Sequence, residues 1–91
     1  MEAIQIASDE LEYRVHLQDL GWTDWAKGGT FMGTTGQARR LEAIEFRSSR
    51  QMAVEGHVEQ IGWQGEQRGT NVSVGSTGKG LRLEAFKFRF I

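Results

Sequence analysis

Cysteine and proline are both missing from this 91-residue chain. Without cysteine there is no disulfide framework and no thiolate metal site. Neither sign of charge dominates: 11 Lys and Arg stand against 12 Asp and Glu, a net charge of −1. That balance argues against a nonspecific grip on nucleic acid or on an anionic membrane. No apolar run approaches the ~20 residues of a transmembrane helix. The opening MEAIQIASDE lacks the charged-then-apolar layout of a signal peptide, so no secretion signal is expected there. A chain this short is one small domain or a piece of a repeating array, and it buries only about 60–65% of its unfolded surface.

What is plentiful is glycine, 12 of 91 residues, about twice the average usage of ~7%. Counting glycine with the apolar residues brings the chain near the roughly 45–50% of an ordinary globular domain, which argues against disorder. Many glycines among short apolar segments point to tight turns joining short strands.

The chain repeats itself. HLQDLGW (16–22) returns as HVEQIGW (57–63), GTTG (33–36) as GSTG (75–78), and RLEAIEF (40–46) as RLEAFKF (82–88). A third copy of the last motif opens the chain, because MEAIQI (1–6) matches LEAIEF (41–46) and LEAFKF (83–88). So many matches in fixed order define a structural repeat of about 41 residues, the range of propellers, trefoils and other arrays.

Within a repeat the pattern is β. Tyr13, Val15 and Leu17 alternate with Arg14, His16 and Gln18, and Val54, Gly56 and Val58 occupy the same face in the second copy. Thr30–Thr35 and Thr70–Val74 read as further short strands. Leu41–Phe46 switches parity between Ala43 and Ile44, and Ala85–Phe86 and Ala3–Ile4 repeat the switch. A strand buried on both faces would do this, as would a bulge. No window shows a helical period. The polar stretches Ala7–Glu10 and Arg47–Arg50 read as connections between repeats.

Several residues carry candidate chemistry, each with a plainer structural alternative. Gly33–Gly36 and Gly75–Gly78 bracket two-residue polar tips, which suits a tight turn; no GK[ST] and no helix follow, so a phosphate-cradling loop is not expected. Trp22 and Trp63 recur at one place in each repeat, which suits packing residues; the functional alternative is a stacking platform. Trp25 faces Glu66 in the second copy, so the repeat does not demand it, and it is the stronger candidate for an exposed contact. Asp24, Gln64, Glu66 and Asn71 are placed to hydrogen-bond ligand hydroxyls. His16 and His57 could meet near a pseudo-symmetry axis and hold a metal, but no third ligand is evident, and half-buried strand histidines are the plainer expectation. Glu42 and Glu84 each follow an arginine by two residues (Arg40, Arg82) and read as structural ion pairs or backbone-bonding groups. Paired catalytic carboxylates would need an acid/base asymmetry that their equivalent places deny. Phe86-Lys87-Phe88-Arg89-Phe90 reads as an amphipathic strand with a phenylalanine core face, against a single-stranded nucleic-acid platform. Residues 1–45 are net acidic and 46–91 net basic, which suits attraction between neighbouring copies.

Taken together, H-[LV]-x-x-[LI]-G-W, G-[TS]-T-G and R-L-E-A-[IF]-x-F resemble the ChW repeat family, clostridial hydrophobic repeats with a characteristic tryptophan. The resemblance covers Leu11–Ser48 and Met52–Phe90, with a partial copy at Met1–Ile6. It makes Trp22 and Trp63 the family tryptophan, Gly21 and Gly62 the glycine before it, and Trp25 a match to a second tryptophan common in such repeats, which Glu66 is not. It implies secreted or cell-surface bacterial proteins that bind polysaccharide or protein partners, with no catalytic residues attached.

The expectation is therefore an all-β fold over residues 1–91: a partial repeat strand at 1–6, one repeat at 11–48 and another at 52–90. The short antiparallel strands form a propeller-, prism- or trefoil-like arrangement. Such units bury their apolar faces only against neighbours, so closure by a homo-oligomer is expected, a trimer before a dimer. The expected function is non-catalytic, lectin-like recognition of carbohydrate through Trp22, Asp24, Trp25, Trp63, Gln64, Glu66 and Asn71. Docking of one protein partner on a Trp/Arg surface is the alternative. No enzyme activity, cofactor, metal, nucleic acid or membrane is expected.

Overall fold

The computed structural model describes residues 3–5, 11–27, 31–33 and 40–91. The described residues form nine strands and no helix. These are β1 (Ala3–Gln5), β2 (Leu11–Leu17), β3 (Gly21–Trp22), β4 (Ala26–Lys27), β5 (Phe31–Gly33), β6 (Leu41–Val58), β7 (Gly62–Trp63), β8 (Gln67–Gly75) and β9 (Leu83–Phe90). Every pairing is antiparallel.

The repeat read from the sequence is a repeat of backbone pairing. His16 faces Trp22 and Leu17 faces Gly21 across β2 and β3; His57 faces Trp63 and Val58 faces Gly62 across β6 and β7. Tyr13 faces Ala26 as Val54 faces Gln67. Leu11 to Leu17 lie along Ser48 to Leu41 as Met52 to Val58 lie along Phe90 to Leu83. The first half of β6 thus closes repeat one, and its second half opens repeat two.

Alternation builds the core. Leu11, Tyr13, Val15 and Leu17 are buried, while Glu12, Arg14 and His16 between them are half-exposed. Met52, Val54 and Val58 join Leu41, Ile44, Phe46, Val72, Val74 and Leu83 in one cluster that spans both repeats. Phe46 stitches the copies together, with its ring 5.8 Å from Phe86 and 5.3 Å from Phe88. Phe86, Phe88 and Phe90 are only partly buried against this core, so the C-terminal strand has the amphipathic character its alternation suggests.

Two expectations are refined. The connection between repeats at Arg47–Arg50 lies within a strand, because β6 runs without a break from Leu41 to Val58. β8 pairs with β6 on both sides of this boundary, at 43–47 and 52–54, with a register shift between Arg47 and Met52. Arg50 also lays its guanidinium 4.1 Å from the Phe90 ring centroid. The parity switch is a bulge. His16 faces Ala43 and Leu17 faces Leu41, which leaves Glu42 as the extra residue; Glu84 is the extra residue between Ala85 and Leu83. The connection expected at Ala7–Glu10 and the turn expected at Gly33–Gly36 lie, the latter beyond Gly33, outside the described residues.

Gly75, the first glycine of GSTG, is required by a close approach. Its φ is +100°, and a Cβ there would sit against the Glu42 carbonyl oxygen and 2.7 Å from the Ala43 Cα. The Gly75 backbone is therefore pressed onto β6.

Candidate functional site

The Gly-Trp turn sets the site. Leu20 N–H donates to the Leu17 carbonyl at 3.2 Å, and Ile61 N–H donates to Val58 at 3.0 Å. Closing so tightly needs left-handed backbone at Asp19 and Gln60, both at φ 67°, and at Gly21 and Gly62. The turn throws Leu20 and Ile61 outward, 57% and 51% exposed, and lays Trp22 and Trp63 on the outer face, 37% and 45% exposed. The two family tryptophans are thus surface residues, contrary to the packing role their recurrence suggests. The core beneath them is already filled by the β2 and β6 side chains.

Each tryptophan is braced by the same pair. His16 meets Trp22 edge-on, with centroids 5.2 Å apart at 80°; His57 meets Trp63 at 5.0 Å and 77°. The Glu42 carboxylate lies 3.0 Å from His16 Nδ1, and the Glu84 carboxylate 3.1 Å from His57 Nδ1. The bulge explains the pairing, because the extra residue re-aims its side chain across the strand. Glu42 and Glu84 therefore do not pair with Arg40 and Arg82. Those two arginines converge on Glu59 instead, at 3.7 and 3.5 Å.

Cations complete the platform. The Arg14 guanidinium lies 4.7 Å from the Trp22 ring and 5.0 Å from Trp25, and Arg47 lies 4.0 Å from Trp25. Glu45 holds Arg14 at 2.6 Å, and Glu12 holds Arg47 at 3.0 Å. Trp25 is half-buried in contact with both guanidiniums, so it is less exposed than either family tryptophan, the reverse of the sequence expectation. In repeat two Lys87 Nζ lies 4.4 Å from Trp63. Glu66 stands where Trp25 stands in repeat one, and its carboxylate takes Arg68 at 2.9 Å and Arg89 at 3.0 Å. Hydrogen bonds from Arg68 and then Arg89 hold the Glu66 carboxyl below its ordinary range. Arg47 and Arg89 are equivalent positions; one stacks on an indole and the other binds a carboxylate.

The remaining candidates fall into place around these platforms. Asp24 is exposed beside Trp25, with its carbonyl accepting from Thr23 Oγ1 at 3.1 Å. Asn71 is exposed and faces Arg47 in the β6–β8 register. Gln64 clamps β8: its amide donates to the Gly75 carbonyl at 3.2 Å and accepts from Gly75 N–H at 2.8 Å. Trp22, Trp25, Asp24 and Asn71 thus belong to the repeat-one platform, and Trp63 and Glu66 to the repeat-two platform. An open groove of about 540 Å³ is lined by His16, Gln18, Asp19, Gly21 and Glu42 of repeat one together with Thr77, Gly78 and Gly80 of repeat two.

Sequence reasoning passed over Leu20, Ile61, Arg14, Arg47 and Lys87. The first two did carry a signal, because they recur with the glycine and tryptophan while lying outside any strand alternation.

Two copies of one antiparallel unit, each displaying a braced and exposed tryptophan, define a tandem-repeat protein with a duplicated surface feature. The chain belongs to the ChW family, described as Clostridial hydrophobic W, whose model matches residues 16–48 and again 57–90. No curated protein and no solved structure matches it.

Proposed function

We propose that this chain is a non-catalytic binding module, lectin-like in its recognition of carbohydrate at a bacterial cell surface or on polysaccharide. One observation carries the reading: the same exposed indole, with a histidine at its edge and a cation beside it, occurs twice, once in each repeat. An indole offers a flat apolar partner for the C–H face of a sugar ring, and nearby charged and amide groups offer hydrogen bonds to its hydroxyls. Asp24, Asn71 and Glu66 are exposed in the right neighbourhoods. Two weak sites on one chain add avidity when the ligand itself repeats.

A protein partner is the second reading, favoured by a different observation. Leu20 and Ile61 are more exposed than the tryptophans they accompany. Exposed aliphatic residues add apolar contact area to a Trp/Arg surface, which suits a protein partner better than a sugar subsite. Titration with soluble polysaccharides, followed by tryptophan fluorescence, separates the two. A saturable change supports the carbohydrate reading. No change with any glycan, alongside one stoichiometric protein in a pull-down, supports the second.

The same reading includes closure of the repeats by further copies into a propeller-, prism- or trefoil-like ring, a trimer before a dimer, on a secreted or surface-attached protein. Mass measurement in solution tests it, and a stable monomer at micromolar concentration removes it.

A further inference from the structure

One pairing occurs twice in this fold, in one register. β5 lies on β1 with Gly33 facing Ala3, Met32 facing Ile4 and Phe31 facing Gln5. β8 lies on β6 with Gly75 facing Ala43, Val74 facing Ile44 and Ser73 facing Glu45. In both cases the strand of the E-A-I motif receives the strand that ends in the first glycine of G-[TS]-T-G. β9 is the third copy of that motif, as Glu84-Ala85-Phe86. One edge of β9 pairs with β6, and no described strand pairs with its outer edge.

The side chains record what that edge is missing. Glu42, beneath β8, has an 8% exposed side chain, while its equivalent Glu84 has 42%. Ile44 and Phe46 are fully buried, whereas Phe86 and Phe88 at the same places are only partly covered. The difference has a local cause: Val72 and Val74 of β8 are buried with Ile44 and Phe46 in the core, and β9 has no such neighbour among the described strands.

We infer that the outer edge of β9 takes β5 of a second copy, in the register Ala85↔Gly33, Phe86↔Met32 and Lys87↔Phe31, displacing that copy's β1. This rests on the proposed closure by further copies and names its contact. β1 and β9 carry one motif, MEAIQI and LEAFKF, so they compete for one edge. The exchange moves β5 from one copy of this motif to another. It also covers Phe86 and Phe88. Addition of a strand to an open sheet edge is a recurrent mode of association, and a head-to-tail contact of this kind propagates until rotation closes it.

The absence of cysteine makes the test clean. Ser76 N–H donates to the Glu42 carbonyl, so Glu45 and Ser73 form the narrow, non-hydrogen-bonded type of pair that suits a disulfide. By the same register, chains carrying Lys87→Cys mixed with chains carrying Phe31→Cys form a mixed covalent dimer on mild oxidation. The yield exceeds that of Lys87→Cys mixed with Ser73→Cys by at least about tenfold, through effective concentration at the paired edge. The double variant Gln5→Cys/Phe31→Cys, which cross-links within one chain, checks that substituted β5 still folds. An oligomer by mass with no mixed disulfide, or with only Lys87→Cys self-dimers, overturns this register and leaves closure standing. A monomer with no mixed disulfide overturns both.

Discussion

Arg14 faces Glu45 across β2 and β6, and the equivalent positions of the second repeat hold Glu55 facing Lys87, the same pair with its charges exchanged. In repeat one the cation over the tryptophan comes from the opening strand, as Arg14. In repeat two it comes from the closing strand, as Lys87. Glu55 meanwhile accepts from Gly65 N–H at 3.1 Å. What persists between the copies is a cation beside the indole, while the strand that supplies it has changed.

That relationship predicts a rescue. Arg14→Glu places two carboxylates opposite each other and removes the cation from Trp22, at a cost of about 1 kcal/mol. Arg14→Glu/Glu45→Lys copies the second repeat and restores most of the loss. Thermal unfolding of the two variants measures it. A double variant no more stable than the single one shows that the indole's cation is not interchangeable between strands.

A second prediction separates backbone strain from steric contact. Gly75→Ala must tolerate φ +100° and also drive a Cβ into the β6 backbone at Glu42 and Ala43. The expected cost is about 3 kcal/mol or more. Gly21→Ala faces only the strain, because nothing lies within 4 Å of a Cβ there, and about 1 kcal/mol is expected. Denaturant unfolding of both variants gives the comparison. Equal costs would falsify the close-approach account of Gly75.

The repeat was legible because it is written in strand alternation and turn glycines, local features that a period exposes. Even the bulge at Glu42 showed as a parity switch at Ala43. The platform was less legible because its cations arrive from other strands. Arg47 is 22 positions from Trp25 in the chain yet lies 4.0 Å from its ring, and no spacing rule predicts that contact. Recurrence also misled: Trp22 and Trp63 are repeated, but the turn that precedes them turns them outward, and the repeated core is made by Tyr13, Val54, Phe46 and their neighbours.

The ion-paired carboxylate of Glu66 predicts a pH dependence with a definite sign. Its folded value lies below the ordinary 4.5 because Arg68 and Arg89 donate to it. A depressed carboxyl stabilises the fold above its unfolded value, and that contribution fades as pH falls through the folded one. Glu66→Gln therefore lowers stability at neutral pH and makes little difference in strong acid. Carbon NMR titration of the Glu66 carboxyl tests the cause. Its midpoint rises in Arg68→Ala and rises less in Arg89→Ala, since the Arg68 bond is the larger influence.

The duplicated platform makes the most direct functional prediction. Trp22 and Trp63 are exposed and contribute little to the core, so Trp22→Ala and Trp63→Ala each cost at most about 1 kcal/mol of stability. Binding responds differently. On the proposed function a repeating polysaccharide would engage both platforms, so loss of either indole removes the intramolecular second contact and weakens binding by about tenfold or more. A short oligosaccharide that reaches one platform loses only about half its sites in either variant, with unchanged affinity at the other. Calorimetric titration of both variants with the two lengths of ligand distinguishes these behaviours. Equal weakening for long and short ligands means that the platforms do not act together. Unaltered binding in Trp22→Ala/Trp63→Ala removes the indoles from the site altogether.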